Sequence, residues 1–294
     1  MSPPLSGSAR AEIFSGLPFR RLTLPCGDSV LVALHGAHVL SWTVQGVEQL
    51  YLSPCAVMDG QAAIRGGVPV CFPQFNQRGT LPKHGFVRNM PWTADVAPVA
   101  GDTSGSEAVA QLVLRLSAND ATRALWPVDF EVSLTVDLSP GALQLTLTFT
   151  HQNPNPVAIS GALHTYLAVD DIGSTQVTGL DGQPEWNALT DVYGQAASTL
   201  TFQGEFDRVY AAAPRALSMQ GGTRQLAISQ SASWANTVVW NPGAALCAKM
   251  ADMPPDGYAH MLCIEAAQVM EPIAVAPGAV WQGWQRLVST IGAC

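Results

Sequence analysis

The sequence predicts an all-β protein built from large antiparallel sheets, as a sandwich or a barrel. Short apolar segments recur along the chain, and turn residues rich in Gly and Pro separate them. Residues 131–138 and 143–149 alternate strictly between apolar and polar side chains, and a Ser-Pro-Gly turn at 139–141 joins them. No segment of ten or more residues has a helical period, so we expect helices to be short and few.

The other strand predictions follow the same two signals. They cover residues 21–24, 29–34, 37–44, 108–116, 159–169, 202–210 and 261–266, with a polar Gly/Ser loop at 95–107. The turn signals continue without a change in composition. We therefore expect a flexible N-terminal lead-in over residues 1–18 and a single β domain over 19–294.

Composition narrows the class of protein. The 294 residues are 48% hydrophobic and carry a formal charge of −8, which speaks against nucleic acid as a partner. No run approaches the roughly 18 apolar residues that a membrane span needs. The first residues include no apolar segment typical of a signal peptide, and the six cysteines are irregularly spaced. We expect a cytoplasmic monomer with reduced thiols and no membrane partner.

Residues 64–92 concentrate positive charge in a Gly- and Pro-rich stretch. Four of the fourteen Lys and Arg residues lie here, namely Arg65, Arg78, Lys83 and Arg88, together with His84. A rigid loop that carries cations in an acidic protein predicts a site for an anionic, polar ligand. The alternative is a solvated surface loop, but the charges alternate with apolar side chains.

Three strand-like segments in the second half carry further polar residues. Period two places His164 and Tyr166 on one face of residues 159–169, and Glu265 on the same face as Cys263. A carboxylate within an apolar strand is costly to bury unpaired, so Glu265 is either a functional group or the partner of a buried cation. Asp207 lies beside Arg208 in the segment 202–210.

Other polar residues have simpler interpretations. His35 and His38 would point to opposite faces of a strand, which argues against a shared metal. His151 and His260 flank turns, where we expect them to be solvated. Cys71 and Cys263 have the pattern of core thiols, and Trp240 could stack on a sugar or pack in the core.

Seven motifs, in order, resemble one known family. They are RGGVPVCFPQF, LPKHGFVRN, HTYLAV, FDRVY, VVWNP, MLCIEA and APGAVWQGWQ, and the resemblance spans roughly residues 20–288. The set resembles the aldose 1-epimerase-like superfamily, and within it the hexose-6-phosphate mutarotases, or glucose-6-phosphate 1-epimerases. The resemblance implies a β-supersandwich of the galactose mutarotase-like type. It also implies a metal-free, cofactor-free isomerase that interconverts the anomers of a hexose phosphate.

The resemblance also implies roles for individual residues. It gives Glu265 as the general base, His164 as the general acid and His84 as a second histidine near the sugar ring. Asp207 falls on a hydroxyl-binding carboxylate, and Arg65 and Arg88 fall on substrate and phosphate contacts. Lys83 is counted with the substrate-binding residues, although it stands where the family often has an uncharged side chain.

The implied chemistry needs only an acid and a base. Ring opening removes the proton of O1 and protonates the ring oxygen O5; after rotation about C1–C2 the ring closes on either face. A histidine and a carboxylate can supply both transfers, with their roles exchanged on closure.

Two other functions stay open at this point. A glycoside hydrolase could use Asp207 and Glu265 as its two carboxylates. A non-catalytic sugar-phosphate sensor could use the same fold, because a fold does not fix a function.

Overall fold

The computed structural model describes residues 12–14, 16–95 and 109–290. The strands in these ranges are β1 (Glu12–Phe14), β2 (Leu17–Thr23), β3 (Ser29–Ala33), β4 (Val39–Val44), β5 (Val47–Glu48), β6 (Val70–Cys71), β7 (Thr93–Asp95), β8 (Ala110–Ser117), β9 (Phe130–Ser139), β10 (Ala142–His151), β11 (Val157–Leu163), β12 (Tyr166–Ala168), β13 (Gln176–Thr178), β14 (Pro184–Asn187), β15 (Val192–Gln195), β16 (Thr199–Thr201), β17 (Phe206–Ala211), β18 (Leu217–Gly221), β19 (Arg224–Gln230), β20 (Asn236–Asn241), β21 (Met261–Val275) and β22 (Val280–Ser289).

Helices are short throughout the described residues. The α-helices are α1 (Asp120–Leu125) and α2 (Gly243–Cys247). Separate 3₁₀ turns lie at Val87–Asn89, Ile172–Ser174 and Gly257–His260. None of the helices in these ranges is long and apolar enough to cross a membrane.

The strands form three antiparallel sheets. A nine-stranded sheet has the order β16-β13-β18-β19-β22-β10-β9-β8-β7, and an eight-stranded assembly has the order β15-β14-β17-β20-β21-β11-β6, with β12 also paired to β21. A third sheet runs β1 to β5 in sequence order. The all-β prediction and the large antiparallel sheets are therefore confirmed.

The main core lies between the inner faces of these sheets. The alternation of β9 and β10 buries Val132, Leu134, Leu145 and Leu147, as the sequence predicts. On β21, Leu262, Ile264 and Ala266 belong to the same core. The intervening residues of β21, including Glu265, therefore project from the opposite face. That outer face of the eight-stranded sheet carries the candidate site.

The predictions for the strand at 159–169 and for two histidines have different outcomes. The segment 159–169 forms two short strands, β11 and β12, but its pairing with β21 keeps one register across His164 and Thr165, and the carbonyl of Thr165 accepts from the amide of Ile264. The amide of His164 donates to the carbonyl of Pro69, which extends the pairing of β11 with β6, and His164 and Tyr166 lie on one face as predicted. His151 is not solvated: it is buried, and its Nε2 lies 2.7 Å from the carbonyl oxygen of Asn155. His260 is exposed, as expected.

The N-terminal boundary also differs from the expectation. Strands begin at Glu12 and Leu17, inside the segment expected to be a flexible lead-in, whose residues 1–11 lie outside the described ranges. The loop expected at 95–107 falls almost wholly outside them as well, since only Asp95 is described, as the last residue of β7. The division into a lead-in and one domain stays a prediction.

Candidate active site

A cavity of about 510 Å³ opens on the outer face of the eight-stranded sheet. Its floor consists of side chains from β17, β20 and β21, and one wall is the loop between β6 and β7 that the sequence singles out. Lining residues with polar or aromatic side chains are Arg65, Phe75, Asn76, Gln77, Arg78, Lys83, His84, His164, Trp186, Glu205, Asp207, Trp240 and Glu265. Six of the seven site residues predicted from the sequence are among them; Arg88 is the exception.

His164 and Glu265 form a close pair at the floor of the cavity. His164 Nε2 lies 3.4 Å from Glu265 Oε1, and Glu265 is 1% exposed. The ring of His164 stacks on Tyr166, with centroids 4.9 Å apart, and meets Trp240 edge-on. His164 and Glu265 lie between the cross-strand pairs Leu163–Ala266 and Tyr166–Cys263, so their side chains meet on the outer face of the sheet.

Burial shifts the two pKa values in opposite directions. Desolvation raises the pKa of Glu265 well above its usual value, and the nearby negative charge of Asp207 adds to this effect. Desolvation lowers the pKa of His164 well below its usual value, helped by His84 and by the charges of Arg88 and Arg65. Burial therefore favours the neutral form of each group, a protonated carboxyl and a neutral imidazole.

His84 lies beside this pair in a fixed tautomer. Its ring meets that of His164 with centroids 5.6 Å apart, and its Nδ1 accepts from the amide of Asn76 at 3.3 Å. Because Nδ1 accepts, Nε2 carries the proton and is a donor. Burial, followed by the charges of Arg88, Lys83 and Arg65, lowers the pKa of His84 to about 3, so the ring stays neutral.

Glycine allows the chain to place His84 there. Gly85 has φ +71°, and a Cβ at this position would collide with the carbonyl oxygen of Phe72. Phe86 then donates its amide to that same carbonyl. The KHGF motif therefore packs closely against the backbone of Phe72, and any side chain at position 85 would push it away.

Arg65 is held by two partners. Its Nε and one terminal nitrogen both lie 3.1 Å from Oδ2 of Asp252, and the other terminal nitrogen donates to the Tyr166 hydroxyl at 2.9 Å. Since Tyr166 stacks on His164, this chain of contacts also supports the imidazole. Arg65 lines the cavity with its position already fixed.

Asp207 and Glu205 supply negative charge on another wall. Burial and the charge of Glu205 raise the pKa of Asp207 to about 6, while Arg208 and Lys83 oppose the shift. Asp207 therefore titrates near neutral pH, and above that pH it is a strong acceptor for a hydroxyl.

The cations of the loop are arranged differently from the prediction. Arg88 does not line the cavity. A terminal nitrogen of its guanidinium donates to the carbonyl of Lys83 at 3.0 Å, and its positive charge affects the site from outside the cavity. Arg78, which the sequence analysis placed in the cluster without a role, lines the cavity with its guanidinium carbon 4.8 Å from the ring centre of Trp186. Lys83 also lines the cavity and is exposed.

Trp186 and Glu205 line the cavity but were not predicted from the sequence. Trp186 is on β14, and its indole donates to Asp191 at 2.9 Å. No motif marks Trp186, which reaches the cavity through the pairing of β14 with β17. Glu205 lies in the predicted strand segment 202–210, two residues before Asp207, and that proximity to Asp207 is the signal that could have identified it.

A family model described as aldose 1-epimerase matches residues 21–288. The chain belongs to the aldose 1-epimerase family. It is therefore an isomerase that acts on a sugar, as the sequence predicts.

Two relatives of this aldose 1-epimerase family member match most of its chain. A protein of Cenchrus ciliaris, named as a candidate glucose-6-phosphate 1-epimerase, is 34% identical over 260 residues, covering 86% of this chain and 78% of its own. A protein of Escherichia coli strain K12 with the same name is 36% identical over 253 residues, covering 81% and 79%.

A solved structure agrees with the sheet arrangement. The candidate mutarotase YeaD of Salmonella typhimurium superposes with a TM-score of 0.82 at 29% identity, covering 93% of this chain and 90% of its own. The galactose mutarotase-like fold expected from the sequence is confirmed.

Proposed function

We propose that this aldose epimerase interconverts the α and β anomers of a hexose 6-phosphate, with glucose 6-phosphate as the first substrate to test. One observation carries the proposal. A histidine and a glutamate whose pKa values burial shifts in opposite directions lie 3.4 Å apart, at the floor of a cavity whose outer wall carries Arg78 and Lys83. The names of the relatives point to the same substrate.

The pair supplies both proton transfers. With Glu265 facing O1 and His164 facing O5, the carboxylate takes the O1 proton while the imidazolium protonates O5. The C1–O5 bond breaks and C1 becomes an aldehyde. Rotation about C1–C2 and the reverse transfers give the other anomer, so the pair ends as it began.

The reactive form is the carboxylate with the imidazolium. Burial in the empty cavity favours the neutral form, in which the proton is on Glu265. The two forms have the same number of protons and differ by a transfer across the 3.4 Å contact. A bound phosphate adds negative charge to the cavity, which favours the imidazolium.

Binding of the sugar uses the remaining lining groups. His84 presents an Nε2–H donor beside His164, and Asp207 accepts from a ring hydroxyl. Arg65 can still donate from its terminal nitrogens while Asp252 holds it. Trp240 meets His164 edge-on, which gives the sugar an apolar surface next to the acid.

The phosphate is assigned to Arg78 and Lys83. Arg65 is neutralised by Asp252, and Arg88 is turned to a backbone carbonyl, whereas neither Arg78 nor Lys83 has a carboxylate within ion-pair distance among the described residues. The ring of Trp186 supports the guanidinium of Arg78, and a supported guanidinium can donate two hydrogen bonds to phosphate oxygens. Arg88 contributes charge and holds the loop.

Anomer exchange tests the proposal directly. Saturation-transfer proton NMR on glucose 6-phosphate should show exchange far above the buffer rate without added metal, and EDTA should not lower it. Exchange no faster than buffer, over several hexose 6-phosphates, would reject the proposal in favour of a sugar-phosphate sensor. Release of free sugar from a glycoside would favour the hydrolase that pairs Asp207 with Glu265.

A further inference from the structure

Three different metal-binding side chains meet at the floor of the cavity, which His164 and Glu265 line and which the fully buried Cys263 does not. Nε2 of His164, Sγ of Cys263 and a carboxylate oxygen of Glu265 all lie within 4.8 Å of one another. Cys263 and Glu265 are two residues apart on β21 and so share a face, while His164 reaches them from the break between β11 and β12. Among the described residues this is the one group of three or more such side chains with metal-site spacing.

The spacing suits zinc. Tetrahedral zinc holds imidazole nitrogen and carboxylate oxygen at about 2.0–2.2 Å and thiolate sulfur at about 2.3 Å, so neighbouring ligand atoms are roughly 3.3–3.8 Å apart. The separation of 3.4 Å between His164 and Glu265 already falls in this range. The sulfur of Cys263 lies within 4.8 Å of both other ligand atoms and has to approach by at most about 1.3 Å, which rotation about its Cα–Cβ bond can supply.

One ligand atom also lacks a partner. Oε2 of Glu265 is buried without a hydrogen bond, in a side chain that is 1% exposed. A buried acceptor without a partner is costly, and a cation coordinated there removes the cost. Imidazole, thiolate and carboxylate together suit zinc, whereas magnesium and calcium require oxygen ligands. The cavity leaves a fourth position open.

We propose that His164, Cys263 and Glu265 form an inhibitory zinc site. The ion would coordinate Nε2 and the carboxylate, the two groups that move the protons, and would prevent both transfers. On binding, the thiol of Cys263 and the carboxyl of Glu265 each release a proton to solvent, and the neutral imidazole binds without losing one. Nδ1 of His164 has no hydrogen-bond partner to orient it, so the site binds zinc reversibly rather than as a permanent structural ion.

Cobalt provides a test that does not depend on activity. The exposed Cys26 and Cys55 are first changed to serine, so that they cannot bind metal. Addition of Co²⁺ should give one equivalent of a thiolate-to-cobalt charge-transfer band with tetrahedral visible absorption, and Zn²⁺ should displace it. Cys263→Ala should abolish the band. Cys71→Ala, which removes another fully buried thiol, should keep it.

Inhibition gives the second measurement. Zinc should stop anomer exchange in the parent protein and in Cys71→Ala, while Cys263→Ala should keep its exchange rate and need at least about tenfold more zinc. If Cys263→Ala melts early, Cys263→Ser, which keeps the volume, replaces it. No cobalt band in the parent, or a band and zinc sensitivity that survive loss of Cys263, would overturn the site. A parent that binds cobalt through Cys263 but shows no exchange would reject the proposed function and leave the site standing.

Discussion

Nε2 of His164 faces Oε1 of Glu265 at 3.4 Å, with Glu265 on β21 and His164 at the break between two strands that both pair with β21. Desolvation raises the pKa of the carboxyl and lowers that of the imidazole. Burial thus favours the neutral form of each group. Neither residue has another charged group in direct ionic contact among the described residues.

The raised pKa of Glu265 has a consequence for stability. Above about pH 4.5, its usual value, the unfolded chain loses this proton while the folded protein keeps it, so the free energy of unfolding falls as pH rises. Glu265→Gln has no such group. We expect the melting temperature of Glu265→Gln, relative to that of the wild type, to rise as the pH increases from about 5 to about 8. A difference that stays constant over this range would show that the carboxyl is not perturbed.

Asp207 should set the pH dependence of sugar binding. Its pKa is raised to about 6, and the carboxylate accepts a stronger hydrogen bond than the protonated acid by about 1–1.5 kcal/mol. With free glucose, which has no titrating phosphate, kcat/KM of the wild type should rise about 5- to 12-fold as pH passes through 6. Asp207→Asn should lack this step. A step of equal size in the variant would assign the titration to another group.

Arg78 should distinguish phosphorylated from free sugar. Loss of one charge-assisted hydrogen bond costs about 1.5–3 kcal/mol, so Arg78→Gln should lower kcat/KM for glucose 6-phosphate about 10- to 150-fold and change it little for glucose. Lys83→Gln should have a smaller effect, since lysine is a point charge.

Arg88→Gln is the matched control for that measurement. Its guanidinium contacts a backbone carbonyl rather than the cavity, so the ratio of kcat/KM for the two sugars should stay close to that of the wild type. A larger fall in this ratio in Arg88→Gln than in Arg78→Gln would support the prediction from the sequence that Arg88 binds the phosphate.

Strict alternation made the strands easy to predict, and loop paths made the cations hard to predict. In residues 131–149 the apolar period alone identifies β9 and β10, because each second side chain enters the core. The same rule correctly separates Glu265 from Ile264. Sequence spacing does not show which way a loop side chain turns, so Arg78 and Arg88 could be told apart only by their contacts with Trp186 and with the Lys83 carbonyl.

Two histidines show the strength and a limit of periodicity. His164 continues the alternation of its segment, and its ring stacks on that of Tyr166 on the same face. His151 stands next to a turn, which suggests exposure, but its ring stacks on Phe149 and bonds to Asn155. The burial of His151 depends on a partner that folds back from the turn, so it cannot be read from local pattern.

Gly85 should be necessary for the position of His84. Gly85→Ala combines a left-handed φ of +71° with a collision between the new Cβ and the Phe72 carbonyl, so it should lower both the melting temperature and kcat. Gly182→Ala is the matched control, because Gly182 has φ +68° with open space around the Cβ position. The control should show only the cost of backbone strain, about 1–2 kcal/mol. Equal losses of melting temperature in the two variants would show that the close approach of Phe72 to Gly85 adds nothing to the cost of backbone strain.

Exchange between the anomers of glucose 6-phosphate, measured by saturation-transfer NMR on the wild type, Glu265→Gln and His164→Asn, tests the central claim most directly. Both substitutions keep the approximate size of the side chain and remove its proton transfer. We expect rapid exchange in the wild type and a loss in kcat of at least about 100-fold in each variant, with melting curves that remain cooperative. Near-normal kcat in either folded variant would contradict the assignment of the acid–base pair.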